Sequence, residues 1–190
     1  MIQFLVDLPS WTLIRLFGIL SYLSLFVGMA LGITYSFPTW KGQMKAQLLR
    51  WHTTANQLGT CLALLHTVLL VIDTFMPFEW KEILIPFTAK QSAGLNGIGT
   101  IALYGLLLLI FTTDIRHKLK RKLWFALHLL SYPIFILSLV HGLYIGTDSS
   151  NLFIKAMYVS TGILLVGLTA VRFVFRPRKR QVREQETYPV

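Results

Sequence analysis

Long apolar stretches alternate with short polar segments along the whole chain. Five stretches of 16 to 25 residues lack Asp, Glu, Lys and Arg: 16–40, 51–72, 91–113, 123–147 and 156–171. A helix needs about 20 mostly apolar residues to cross a bilayer, and the last stretch reaches that length when Lys155 and Arg172 extend to opposite interfaces. None shows the apolar–polar alternation of a transmembrane β-barrel. The pattern predicts an all-α, multi-pass cell-membrane protein, an integral bundle of five transmembrane helices.

The composition agrees with this fold class. Hydrophobic residues make up 54% of the chain and charged residues 14%, whereas soluble domains carry about 25% charged residues. The net charge of +10 would suit a nucleic-acid binder, but a mean hydropathy of +0.60 would not. Disorder is excluded because so apolar a chain buries surface readily. We therefore expect membrane lipids, and no nucleic acid, as partners.

The distribution of charge predicts an orientation. Segments 36–50, 114–122 and 172–190 hold 14 of the 18 Lys and Arg residues. The segments between them, namely the N-terminus, 73–90 and the turn near Asp148, hold five acidic residues and two lysines. Because positive loops stay inside, the N-terminus is expected outside and the C-terminus in the cytoplasm. The expected units are a short outer N-terminus (1–10), a transmembrane domain (11–176) and a basic cytoplasmic tail (177–190). The N-terminal segment MIQFLVDLPSW contains no basic residue, so we expect a retained helix rather than a signal peptide.

Four histidines lie within the predicted spans: His52 and His66 in the second, His128 and His141 in the fourth. Ionisable groups at membrane depth are costly and usually functional. Each pair spans about 20 Å along its helix, too far for all four to bind one metal ion at about 2 Å. Both helices run in the same direction, so His52 can face His128 near the cytoplasm and His66 can face His141 near the outer surface. Two such imidazole pairs suit two haems.

Helical periodicity supports the first pair better than the second. Fourteen residues return a helix to within about 40° of its starting direction, but thirteen do not, so Pro133 is expected to kink the fourth helix and alter the phase. Gly59, midway along the second span, is expected to let a porphyrin approach the backbone. His117 lies 11 residues from His128 and competes for the pairing, but its charged neighbours favour a solvated loop.

Several motifs carry a family resemblance: the histidine pairs at spacings 14 and 13, the runs TTDIRHKLKRKLWFALHLLSYP and LVHGLYIGTDS, and a final span ending in VRFVF. With these the sequence resembles the ferric reductase-like transmembrane domain family over residues 11–176. That family includes the haem-bearing membrane cores of ferric reductases and NADPH oxidases and of bacterial sulfoxide-reductase haem subunits. Its members often have six spans, whereas we expect five here, without a further span on the N-terminal side.

The resemblance implies two b-type haems, the inner one ligated by His52 and His128 and the outer one by His66 and His141. Arg50 would pair with inner haem propionates, as would Arg121 or Lys122; the alternative is that these are ordinary positive-inside charges. Trp124, one turn before His128, would flank the porphyrin or serve as an interface anchor.

The implied function is that of a membrane oxidoreductase component passing electrons outward. The cluster GLNGIG at 94–99 is not the dinucleotide-binding fingerprint and is expected to pack helices. The donor is then a separate cytoplasmic flavin/NAD(P)H reductase or a membrane quinol, and the outer acceptor is ferric iron, oxygen or a protein. The alternative is a haem-free membrane anchor that docks a partner through its basic cytoplasmic face. For loop 73–90, an interfacial loop is favoured over an iron-chelate site.

Overall fold

The computed structural model describes residues 9–175. In this range five helical segments are long and apolar enough to cross a membrane, which confirms the predicted all-α bundle. The helices are α1 (Ser10–Tyr35), α2 (Gly42–Ile72), the short α3 (Trp80–Leu84), α4 (Ala93–Asp114), α5 (Arg121–Leu129), α6 (Ser131–Ile145) and α7 (Leu152–Val174). Helices α5 and α6 together form the fourth span. The predicted tail, 177–190, lies outside the described residues.

The first two spans end where local chemistry requires, which hydropathy alone does not show. Helix α1 stops at Tyr35 rather than at residue 40, because Pro38 disfavours helical geometry in the residue before it. Helix α2 begins at Gly42 rather than at residue 51, and the residues between have good helix propensity. Mostly polar residues therefore extend this helix beyond the N-terminal end of the apolar stretch.

The fourth span is interrupted at Leu130. Pro133 has no N–H to donate to the carbonyl of Leu129, and its ring crowds that carbonyl. The N–H of Leu130 bonds to the carbonyl of Leu127 at 3.0 Å, and α6 restarts at Ser131. This interruption lies close to Pro133, where the sequence predicts a kink, and it falls between His128 and His141.

Helix α1 lies at the centre of the packing. It contacts α2 along its length and also touches α6 and α7, while α4 packs against α6. One buried cluster joins α1, α6 and α7 and consists of Tyr22, Ile33, Phe135, Tyr158 and Leu165. A second joins α1, α4 and α6 through Leu25, Leu106 and Ile134.

The loops divide between the two ends of the bundle. We call the end with loops 36–41 and 115–120 the basic end, and the end with loops 73–92 and 146–151 the acidic end. At the acidic end, the carboxylate of Asp73 accepts hydrogen bonds from a serine hydroxyl of α1 at 2.5 Å and from the backbone N–H of Met76 at 2.7 Å.

The remaining carboxylates of loop 73–92 are also used within the structure. Glu82 is 5% exposed and accepts two backbone N–H groups at 2.8 and 2.7 Å. Glu79 pairs with Lys90 at 2.5 Å and with Lys81 at 3.0 Å. No cluster of three or more His, Cys, Asp or Glu side chains suited to a metal ion occurs among residues 9–175. These carboxylates make local contacts within the loop, and its interfacial position stays a prediction.

Candidate functional site

The structure brings the intramembrane histidines together in two pairs. The ring centroids of His52 and His128 lie 6.2 Å apart, with an angle of 69° between the ring planes. His66 and His141 line one cavity at the acidic end. These are the pairs expected from the sequence. His117, the competing candidate, is exposed in the short 3₁₀ turn Arg116–Lys118 at the basic end.

Three of these rings are held by backbone carbonyls of a neighbouring helix. The contacts run from Nδ1 of His52 to the Gly28 oxygen (2.7 Å), of His66 to Ile14 (2.9 Å) and of His141 to Leu95 (2.8 Å). Because a carbonyl only accepts, Nδ1 carries the proton in a neutral ring and Nε2 keeps a free lone pair. Metal-binding histidines typically show this arrangement, in which the second nitrogen is fixed by an outer partner.

The tautomer of His52 has one competing contact. The amide Nδ2 of Asn56 lies 3.2 Å from its Nδ1, but the same amide donates at 2.7 Å to the backbone carbonyl of His52. The shorter contact from Nδ1 to the Gly28 carbonyl at 2.7 Å therefore decides the tautomer. Nε2 of His52 is left to bind a ligand.

A glycine faces each of the three anchored rings. A Cβ atom would lie 2.9 Å from the His52 ring at Gly32, 3.2 Å from the His66 ring at Gly18 and 2.5 Å from the His141 ring at Gly99. These glycines give each ring room to reach a backbone carbonyl. Sequence reasoning missed them as site residues, although Gly18 and Gly32 share the 14-residue spacing of the two α2 histidines.

His128 is held differently. Its Nδ1 is buried and has no hydrogen-bond partner among residues 9–175, and neither has the buried indole Nε1 of Trp124. The two rings stack with centroids 5.0 Å apart and 19° between planes. Neither ring is therefore oriented by a hydrogen bond from these atoms, in contrast to the three anchored histidines.

The cavity at the acidic end has a volume of about 380 Å³ and is lined by residues from α1, α2, α4, α6 and α7. Its walls are mostly apolar, with His66 and His141 among them. Arg15 and Asp148 also line it, with the arginine Nε donating to the carboxylate at 2.6 Å. Small-molecule and cofactor sites have this character, at about 300–1,000 Å³.

Comparison with known proteins agrees with this geometry. The family model described as "ferric reductase like transmembrane component" matches residues 17–139, about two thirds of the chain. The chain belongs to this family. The match contains three of the four paired histidines, and His141 lies two residues beyond it. No curated protein and no solved structure matches the chain.

Ferric reductase-like domains generally bind haem, and the residues of this ferric reductase-like component fit that group. Two imidazoles on one iron have ring centroids about 6 Å apart, since each nitrogen lies about 2 Å from the metal and about 1 Å from its ring centre. The 6.2 Å separation of His52 and His128 matches this distance. The acidic-end pair has a cavity beside it and two rings whose Nε2 atoms are free of protons.

The other predicted cofactor contacts of this ferric reductase-like component differ in their surroundings. Arg50 is exposed on α2, two residues before His52, so a propionate contact there stays a prediction. Gly59 faces α1: its carbonyl accepts from Ser21 at 2.8 Å, and a Cβ would lie 2.9 Å from Leu25. Close packing of α1 on α2 accounts for this glycine, and the approach of a porphyrin expected from the sequence stays a prediction. Trp124 is half-buried against His128.

Proposed function

We propose that the chain is a membrane di-haem cytochrome b that serves as an electron-carrying component of a transmembrane oxidoreductase. His52 and His128 would hold a b-type haem at the basic end, and His66 and His141 a second at the acidic end. The observation that carries the proposal is the set of contacts from Nδ1 to backbone carbonyls at 2.7, 2.9 and 2.8 Å. A histidine that only joined two helices could make the same contact, but the histidines also face one another in pairs, with the His52 and His128 ring centroids 6.2 Å apart.

Haems held by His52 with His128 and by His66 with His141 would supply one-electron transfer. The protein's part is to hold and insulate that group. The carbonyl contacts fix the tautomer and direction of three rings, which makes each a better electron donor to a metal. The mostly apolar walls of the acidic-end cavity would shield a bound group from water.

The proposed direction of electron flow assumes the orientation that the distribution of charge predicts. The basic end is placed in the cytoplasm, because loops rich in Lys and Arg remain on that side. Electrons would enter there from a separate flavin/NAD(P)H reductase or from a membrane quinol, and leave at the acidic end. Exposed Lys41, Arg116 and Lys118 at the basic end suit an acidic face on a donor protein.

An absorption spectrum tests the proposal. The protein is expressed with haem supplementation, purified in detergent and recorded as dithionite-reduced minus oxidised. Sharp b-type bands are expected, with two haems per chain by pyridine haemochrome quantitation. A folded preparation without these bands would reject the redox function and favour the haem-free anchor.

A second assay separates the donor classes. The oxidised protein is mixed either with a short-chain quinol or with NAD(P)H and a cytoplasmic flavin reductase, and haem reduction is followed at the b-type band. Reduction by the flavin reductase that weakens as salt is raised would support docking on the basic end. Reduction by quinol alone would assign the chain to a quinol-oxidising enzyme.

A further inference from the structure

The two histidine pairs are not equally supported by the protein. His66 and His141 each have both a carbonyl acceptor and a facing glycine, and so has His52. His128 has neither a hydrogen bond from Nδ1 within the described part of the chain nor a glycine that its ring contacts. The basic-end pair therefore combines one firmly held ring with one that lacks this support.

The backbone around His128 adds to the difference. His128 lies in the last turn of α5, a helix of nine residues that ends at the break before α6. His52 and His66 lie inside the 31-residue α2. A short helix beside an interruption restrains its side chains less than the interior of a long one does.

The remaining support for His128 comes from Trp124. The indole stacks on the imidazole at 5.0 Å with a plane angle of 19°. Both lie on α5 and are separated by one turn, so the helix itself places one ring on the other. Stacking fixes the plane of a ring, but unlike a carbonyl contact it does not specify which nitrogen carries the proton.

We propose that His128 is the exchangeable axial ligand of this protein and that Trp124 is its positioning residue. The inference rests on the proposed di-haem function. At the basic end the bond from His128 to the ferrous iron would open from time to time and admit a small neutral ligand. The acidic-end haem, held by two carbonyl-anchored histidines, would stay closed.

Carbon monoxide tests whether the two haems are held with different strength, because it binds ferrous haem only where an axial position opens. The dithionite-reduced wild-type protein is expected to bind it slowly at half of its haem. In His66→Ala, which keeps the basic-end pair, the remaining site should bind CO at the wild-type rate. In His52→Ala, which keeps the acidic-end pair, the remaining haem should resist CO.

Variants of Trp124 separate the roles of its ring and its N–H. Trp124→Leu removes the stack and should raise the rate of CO binding about threefold to tenfold, as expected from the strength of an aromatic pair. Trp124→Phe keeps an aromatic ring and should restore the wild-type rate. Trp40→Leu, which removes an exposed tryptophan at the same end, is the matched control and should leave the rate of CO binding unchanged.

Several results would overturn the inference. Equal CO binding at both haems, or binding at the haem left in His52→Ala, would show that His128 is not the weaker ligand. An equal rise in the rate of CO binding in Trp124→Phe and Trp124→Leu would assign the effect to the indole N–H rather than to stacking. An unchanged rate in Trp124→Leu would show that Trp124 does not position His128. Absence of haem from every preparation would instead reject the proposed function.

Discussion

Replacement of Gly99 by alanine should selectively weaken the acidic-end haem. The added Cβ would lie 2.5 Å from Cε1 and Nδ1 of His141, closer than side-chain carbon atoms are found in proteins. The imidazole would have to move, and its 2.8 Å contact with the Leu95 carbonyl would be strained or lost. The perturbation therefore acts on the orientation of one proposed ligand.

The magnitude follows from two costs. Forcing a methyl group into a packed site costs about 1–3 kcal/mol, and a lost hydrogen bond adds about 0.5–1.5 kcal/mol. Changes to the outer partners of a ligand typically lower metal affinity about 10- to 100-fold. The two costs together allow a loss of more than about tenfold, and we expect a loss of haem affinity of about 10- to 100-fold at the acidic end and wild-type affinity at the basic end.

Gly94→Ala provides the matched control. It makes the same chemical change in the same helix, but its Cβ would meet nothing within 4 Å, so it reports the gain in helix propensity alone. Haem titration into apoprotein, followed at the Soret band, measures both sites. Gly99→Ala with the same titration curve as Gly94→Ala would refute the idea that this glycine makes room for a ligand.

Three further predictions concern the fold. Pro133→Ala should let the fourth span run on as one helix and rotate His128 relative to His141, so haem quantitation should give clearly fewer than two haems per chain. Ser10→Ala removes the hydroxyl that donates a hydrogen bond to the carboxylate of Asp73, a residue that is only 2% exposed. The free energy of unfolding should fall by about 1–3 kcal/mol, and the Tm should be lower than that of the control Ser150→Ala. The hydrogen bond from Lys90, and to a lesser extent that from Lys81, lowers the pKa of Glu79 from 4.5 to about 2. Because the folded pKa is depressed, this contribution is present above about pH 4.5 and lost as pH falls towards 2; hydrogen exchange at the acidic-end loop should show the change, and Glu79→Gln should abolish it.

The five spans and the pairing of the histidines could be predicted because both depend on properties that the sequence carries directly. Apolar length defines a span, and the helical rise together with the direction of each span places a residue at one end or the other. A break near Pro133 could be predicted for the same reason, because proline lacks the N–H that a helix needs whatever its surroundings. The family match then agrees with the resemblance drawn from the motifs.

The surroundings of each histidine could not be predicted in the same way. They depend on how far α1 and α4 are rotated against their neighbours, and hydrophobic stretches that are apolar on all sides leave that rotation unspecified. Gly59 illustrates the limit: its position on α2 suggested a contact with a cofactor but did not reveal its packing against Leu25 of α1. The ends of α1 and α2 were also missed, because Pro38 and the helix propensity of polar residues, rather than hydropathy, determine them.

The account's central claim, two haems held by two specific histidine pairs, is tested most directly by the haem content of paired variants. The wild-type protein should contain two haems per chain, and the double variant His52→Ala/His128→Ala should contain one, since both residues belong to the same site. His52→Ala/His66→Ala should contain none, and His117→Ala should retain two. Loss of both haems from a folded His52→Ala/His128→Ala protein, or loss of one from His117→Ala, would contradict the pairing.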